Sequence, residues 1–473
     1  MKNYQISVIK DKNTLQGDWI IPEMENENGI NYLGQDIPKE VFIGKKGTHF
    51  LQTSEHGKWV FLGIGTTLMC NEITLAFRSL LHQNKAWFTN GFHLLVPKNW
   101  MEEHLEAALV GIFLASYQLN FYKKKKDVVS ENTFVIQIAT DLNNSEELIL
   151  KAKHLAQAQI SVMRMVDLPP NEATPTYLAN FAVSLTQHPN ITTKIIGKEE
   201  AKSIGLHAFL SVCQGSEEAP KFIVVDYHPS NAKKHIGLVG KAITFDTGGY
   251  NIKTQGMYYM KCDMAGGAAV LGIMEWAALQ QLSYRITAVV PACDSMVDQK
   301  AYKPSDVISS YAGHSIEITD TDAEGRLILA DGITYLLRHF QPEIMIDFAT
   351  LTGSTVATFG SVCAALFTNN ESLQQQLFTA GQQVGEKVWP MPLWNDFDSH
   401  LESDVADVKN YSQKPFGGAI SAAKFLEYFT ENHPSWVHID IAGVAFVDDA
   451  FAKGKHASGY GVTLVKQWLQ ELG

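Results

Sequence analysis

The feature of this 473-residue chain that most restricts its fold is the way apolar strands empty into acid-bearing loops and then into apolar helices. Residues His235 to Val239 form an apolar strand that runs into Gly240-Lys241-Ala242-Ile243-Thr244-Phe245-Asp246-Thr247-Gly248-Gly249. Past Lys253 and Asp263 comes the stretch Met264 to Met274, small and apolar, a helix able to pack closely against a sheet. Further along, Ile316-Glu317-Ile318 reads as a short strand, and Leu327 to Ala330 with Ile333, Tyr335, Leu336 and Leu337 as a helix with one apolar face. The alternation predicts an α/β fold, and in an open α/β sheet ligands collect at the carboxyl ends of the strands.

At the second of these junctions stands Thr321-Asp322-Ala323-Glu324-Gly325-Arg326-Leu327. Taken alone, its acids read as helix-start residues that complement the dipole, with Asp322 as a cap, more readily than as ligands. Asp246 and Asp263 upstream change the balance. Four carboxylates gathered without cations would repel, and some would stay protonated, whereas two divalent ions supply matching charge. That arithmetic favours a two-metal centre. Lysine binds a metal only as the neutral amine, a form that a nearby dication makes accessible. Lys241 can therefore be a ligand, while Lys253 and Arg326 can remain cations.

Lys241, Asp246, Lys253, Asp263 and the run Asp322 to Leu327 resemble the leucyl aminopeptidase family, also called cytosol aminopeptidases. Asn171-Glu172-Ala173-Thr174-Pro175, Ala349-Thr350-Leu351-Thr352-Gly353 and His438-Ile439-Asp440-Ile441-Ala442-Gly443 extend the resemblance across Val166 to Trp468. It implies an exopeptidase that releases single N-terminal residues from short peptides by attack of a metal-bridging hydroxide on the first peptide carbonyl. Two divalent ions per subunit, Mn2+ or Zn2+, are implied. Asp246 and Glu324 would bridge them, Lys241 and Asp263 would complete the tighter site, and Asp322 the looser one. Lys253 would stabilise the oxyanion, and Arg326 would hold a bicarbonate that shuttles the proton. For Arg326 the plainer alternative is a salt bridge to a neighbouring acid.

The resemblance also maps a pocket for the first side chain, Leu-like or Met-like, onto Met260, Thr350, Gly353, Ala442 and Ala445, with the main chain near Leu351 contacting substrate or anion. Two positions depart from the family pattern. Ala445 stands where many members carry methionine, and Asp320 where asparagine is usual, which adds a fifth acid if it faces the metals. His438 reads as a hydrogen-bonded core residue, Asp347 as structural support at the end of the strand Ile344 to Ile346, and Cys262 as a small buried packing residue.

Composition points the same way. Net charge is −12, which argues against a nucleic-acid surface. Lys123 to Lys126, followed by Asp127, reads as a solvated loop. Met1 to Gln5 has no apolar signal core, and no stretch is expected to reach the ~18 apolar residues of a membrane span. Five unpatterned cysteines suit free thiols in a cytoplasmic protein. The expected organisation is a smaller N-terminal α/β domain, 1–143, serving assembly and access, joined by a long helix, 144–168, that stops at Pro169-Pro170, to a catalytic domain, 169–473. The latter would be built on a central, largely parallel mixed sheet flanked by helices. The resemblance implies a homohexamer with sites facing an interior cavity. A two-metal phosphoesterase and a non-catalytic binding protein on the same fold are the competing readings.

Overall fold

The structure is a computed structural model, and it describes residues 4–9, 17–32, 35–55, 57–124 and 133–472. Met1 to Asn3 and, in the lysine run, Lys125 to Asp127 lie outside the described residues; Lys123 and Lys124 are exposed. Two compact units divide the chain, one running to Ile160 and including Ala450–Lys453, the other formed by Ser161–Asp449 and Gly454–Gly473. The helix Ser145–Asp167 leads from the first into the second.

In the first unit, six strands among the described residues lie in the order Tyr4–Ile9, Phe134–Ala139, Gly91–Leu95, Trp19–Met24, Gly57–Gly65, His49–Ser54. All neighbours are parallel except the last pair, which is antiparallel. Trp19, Ile21, Phe42 and Phe61 form part of its buried core.

The second unit is built on a nine-stranded mixed sheet. Its middle is parallel: Trp436–Asp440, Ile344–Ala349, His235–Gly240 and Arg285–Ser295 lie side by side, with Ala242–Asp246 continuing alongside the end of the last. Antiparallel neighbours close both flanks, Ala364–Thr368 on one side and Lys221–Tyr227 with Ile191–Ile196 on the other. Parallel strands are apolar along their whole length because helices cover both faces, and Ile344–Ala349 is buried at every position. One covering helix, Ala265–Gln280, comes unusually close. A side chain at Gly266 would overlap the Phe348 carbonyl, so the small-residue run at its start is a packing requirement.

Three expectations need correction. Met257–Gln280 is, by length and composition, apolar enough to cross a membrane, although 94% of its most apolar window is buried inside the unit, which identifies it as a core segment. Asp347 does not end its strand but sits within it, fully buried, accepting from His438 Nδ1 at 2.6 Å and Trp436 Nε1 at 2.9 Å. Those partners offset the cost of a buried carboxylate. Cys262 is only half-buried, on the short 3-10 turn Met257–Cys262. Its thiol is pushed up to about 12 by burial, with Asp263 adding to the shift, which makes it inert at neutral pH.

Candidate metal centre

The carboxyl ends of the parallel strands place the chemistry. Lys241 directly follows His235–Gly240, and its main chain is tied on both sides, its N–H to Phe348 O at 3.0 Å and its carbonyl to Gly267 N at 2.7 Å. Asp246 is the last residue of Ala242–Asp246. Asp263 leaves the 3-10 turn just before Ala265–Gln280. Asp322 and Glu324 lie in the turn between the strand Ser315–Glu317 and the helix Gly325–Phe340, where Glu324 is the N-cap residue but makes no side-chain cap bond. The cap position that the sequence left open to Asp322 thus falls to Glu324.

Asp246, Asp322 and Glu324 bring carboxylate oxygens within 4.8 Å of one another, two of these residues buried and Asp322 exposed. Two ammonium groups bridge the acids. Lys241 Nζ lies 2.7 Å from Asp263 Oδ2 and 3.1 Å from Glu324 Oε1, and donates to Thr350 O at 2.9 Å. Lys253 Nζ lies 2.8 Å from Asp246 Oδ2 and 2.5 Å from Asp322 Oδ1. Asp263 is held from the other side by the Thr350 hydroxyl, which donates to Oδ1 at 2.8 Å. All five expected ligands and Lys253 are therefore in one cluster.

Electrostatics within the cluster are those of a site short of positive charge. Burial works against the Lys241 ammonium, but Asp263, Glu324 and Asp246 outweigh it and hold its pKa above the ordinary lysine value. Lys253 is raised in the same way, burial being overcome by Asp246, Glu324 and Asp322. Burial pushes Asp263 up to about 7 against the pull of Lys241, and raises Asp246 well above the usual carboxylate range with help from Glu324 and Asp263. Four carboxylates against two ammonium groups leave the acids undercompensated, and Glu324 Oε2, buried, has no hydrogen-bond partner among the described residues. Hard oxygen donors with one neutralisable amine suit divalent cations such as Zn2+ or Mn2+, and the donor set fits such a centre.

The sign of the pH dependence follows. Protons held to higher pH than usual on Asp246, Asp263 and Lys241 must leave before these groups can ligate, so apparent metal affinity should rise with pH. Calorimetric titrations with Mn2+ in buffers of different ionisation enthalpy should register net proton release. Binding without release would contradict Lys241 as a ligand.

Arg326 is buried in the first turn of Gly325–Phe340 and donates from Nη1 to Asn410 O at 2.8 Å, while Nε has no hydrogen-bond partner among the described residues. No carboxylate lies within ion-pair distance of it among the described residues, so the plain salt bridge weighed from sequence is not formed. Burial lowers its pKa to about 10, still charged at neutral pH. Asp320 directs its carboxylate forward along the chain, Oδ1 accepting the Asp322 N–H at 2.8 Å.

The pocket residues fall on three segments. Met260 is partly exposed on the 3-10 turn, with its carbonyl accepting Asp263 N at 3.3 Å. Thr350, Leu351 and Gly353 follow the strand Ile344–Ala349, Gly353 opening the helix Gly353–Phe359. Ala442, partly exposed, and Ala445, buried, follow Trp436–Asp440. Phe446 stands against Tyr259, ring centroids 6.2 Å apart, and under Lys261 Nζ at 5.7 Å. What sequence reasoning passed over is Asp440, which joins two of these segments. Its Oδ1 accepts Leu351 N and Ala442 N, each at 3.1 Å, and its Oδ2 accepts the Thr352 and Thr355 hydroxyls, each at 2.7 Å. Its position inside His438 to Gly443 was the available signal.

Residues 161–466 match the sequence profile of the cytosol aminopeptidase family, catalytic domain. A protein of Chlorobium phaeobacteroides described as a probable cytosol aminopeptidase is 39% identical over 378 residues, covering 77% of this chain and 75% of its own. One of the same description from Chlorobaculum tepidum is 44% identical over 308 residues, 65% of this chain and 61% of that one. A third, from Dechloromonas aromatica, is 39% identical over 361 residues, 75% and 71% respectively.

Proposed function

Because the chain belongs to the cytosol aminopeptidase family, and so to the metal-dependent aminopeptidases, we propose that it is a leucyl-type exopeptidase releasing single N-terminal residues from short peptides. The observation that carries this reading is the gathering of Asp246, Asp322 and Glu324 within 4.8 Å beside the Lys241–Asp263 pair. In it, Asp246 and Glu324 would hold two ions in common, Lys241 and Asp263 the tighter of the two, and Asp322 the looser. Two bound divalent ions, Mn2+ or Zn2+, would lower the pKa of a water enough to make it a nucleophile near neutral pH.

The remaining roles belong to the chain's own groups. Lys253, a partly exposed cation, would face the first peptide carbonyl and stabilise the negative charge that develops on its oxygen. Arg326 keeps a buried Nε without a hydrogen-bond partner among the described residues, and an anion such as bicarbonate held there would accept and return the proton. The acidic surroundings suit a free N-terminal amine and not an acylated one. Met260, Thr350, Leu351, Gly353, Ala442 and Ala445 would take the first side chain, Leu-like or Met-like by preference. Discrimination should be broad, since one methylene in an apolar pocket is worth about 1–3 kcal/mol.

The same reading has the chain acting as a homohexamer in the cytoplasm, with the smaller unit serving assembly and access and with neither membrane nor nucleic acid as a partner. A net charge of −12 supports the last point. Family membership weighs against the phosphoesterase alternative, and the substrate test below separates the exopeptidase from the binding protein. With Mn2+ or Zn2+ supplied, the protein should hydrolyse leucine amide and leave N-acetyl-leucine amide intact. Hydrolysis of both, or of neither, would defeat the exopeptidase assignment.

A further inference from the structure

We propose that Asn251 and Asn410 are positioning residues that grip the acidic turn from two sides and set the spacing between Asp246 and the pair Asp322 and Glu324. The inference rests on the aminopeptidase reading above. Between the strand Ser315–Glu317 and the helix Gly325–Phe340 the chain has no regular hydrogen-bond ladder of its own. It nevertheless carries two carboxylates toward two others, a conformation that charge repulsion opposes. Something outside the turn must hold it.

Asn410 supplies one grip. It is fully buried and follows the short strand Val408–Lys409, which pairs in parallel with Ser315–Glu317. Its Oδ1 accepts the Thr319 N–H at 2.9 Å, and its Nδ2 donates to Asp320 O at 2.6 Å. Its main chain works as well, the N–H donating to Glu317 O at 2.9 Å and the carbonyl accepting Arg326 Nη1 at 2.8 Å. One residue thereby fixes the entrance to the turn, the peptide before Asp322's neighbour, and the guanidinium. Only an amide side chain offers a donor and an acceptor in that planar arrangement.

Asn251 supplies the other. It lies on the loop that begins at Asp246 and contains Lys253. Its Oδ1 accepts the Thr321 N–H at 3.0 Å, and its own N–H donates to the Thr321 hydroxyl at 2.8 Å, while that hydroxyl donates to Gly248 O at 2.7 Å. The two loops that bear the ligands are stitched together at Thr321, next to Asp322. Neither asparagine touches the carboxylates, so both act through the backbone that carries them.

Titration of the metal-free full chain with Mn2+ alone, by calorimetry, tests the proposal, with kcat and KM on leucine amide and the thermal unfolding midpoint measured on the same samples. Substituting outer groups that orient metal ligands typically costs about 10–100-fold in affinity. Asn251→Ala is exposed and should keep the wild-type midpoint. It should lose that much affinity for the weaker of the two ions, retain the stronger, and lower kcat more than it alters KM. Asn251→Asp keeps the acceptor for Thr321 N–H and should stay close to wild type. Asn410→Asp, which replaces the donor facing Asp320 O, should lose affinity for the weaker ion as well. Unchanged affinity for both ions in Asn251→Ala overturns the inference, whatever the fate of Asn410→Asp. A wild-type protein that fails to bind two ions or to cleave leucine amide overturns instead the reading on which it rests.

Discussion

Gly325→Ala should lose metal-supported activity by at least about 100-fold. Gly325 is the first residue of a well-packed helix, where alanine is favoured over glycine by about 0.5–1 kcal/mol. On helix propensity alone the substitution is harmless or helpful. The methyl group would, however, overlap Lys241 Cε and lie 2.6 Å from its Nζ, the flexible end of a side chain. Lys241 can yield to it only by moving away from Asp263 and Glu324, to which it now lies at 2.7 and 3.1 Å. Displacing a ligand should cost more than the about 10–100-fold typical of disturbing an outer group. The check is reduced bound metal and a collapsed kcat/KM on leucine amide in a variant that still unfolds cooperatively, at a midpoint below wild type because the buried Lys241 pairs are disturbed. A fully active variant would mean that Lys241 is not needed where it stands.

Lys253→Met should behave differently, and the contrast separates the two lysines. Lys253 bridges Asp246 and Asp322 in this structure but is assigned no ligand role. Its removal should leave two ions bound and take away a cation aimed at the developing charge. Loss of one such group costs about 100–1000-fold in kcat, and KM should change far less. A drop in metal content comparable to that in Gly325→Ala would make Lys253 a ligand and contradict the division of roles.

The residues proposed as ligands are legible in the sequence because each lies beside a locally recognisable boundary. Lys241 directly follows one apolar strand and Asp246 ends the next, and Asp263, Asp322 and Glu324 precede apolar helices. What could not be read is whatever depends on pairing between distant segments. Asn410 has no local pattern around it, and it reaches the acidic turn only because Val408–Lys409 aligns with Ser315–Glu317. Asp347 was taken for a strand end because a charge interrupts an apolar run, whereas His438 and Trp436, on the neighbouring strand in register with it, satisfy its oxygens. The division between the units at Ile160 falls inside Ser145–Asp167, a helix whose apolar period continues unbroken while its neighbours change. Periodicity records that a face is buried and not what buries it.

Central to the account is that two divalent ions occupy one carboxylate-rich cluster and that both are required. Stepwise reconstitution of chelated protein with Mn2+, measuring bound metal per chain and leucine amide hydrolysis on the same samples, addresses it most directly. Activity should reach its plateau only at two ions per chain, with the second more readily removed than the first. Full activity at one ion, or after complete chelation, would contradict the two-metal assignment.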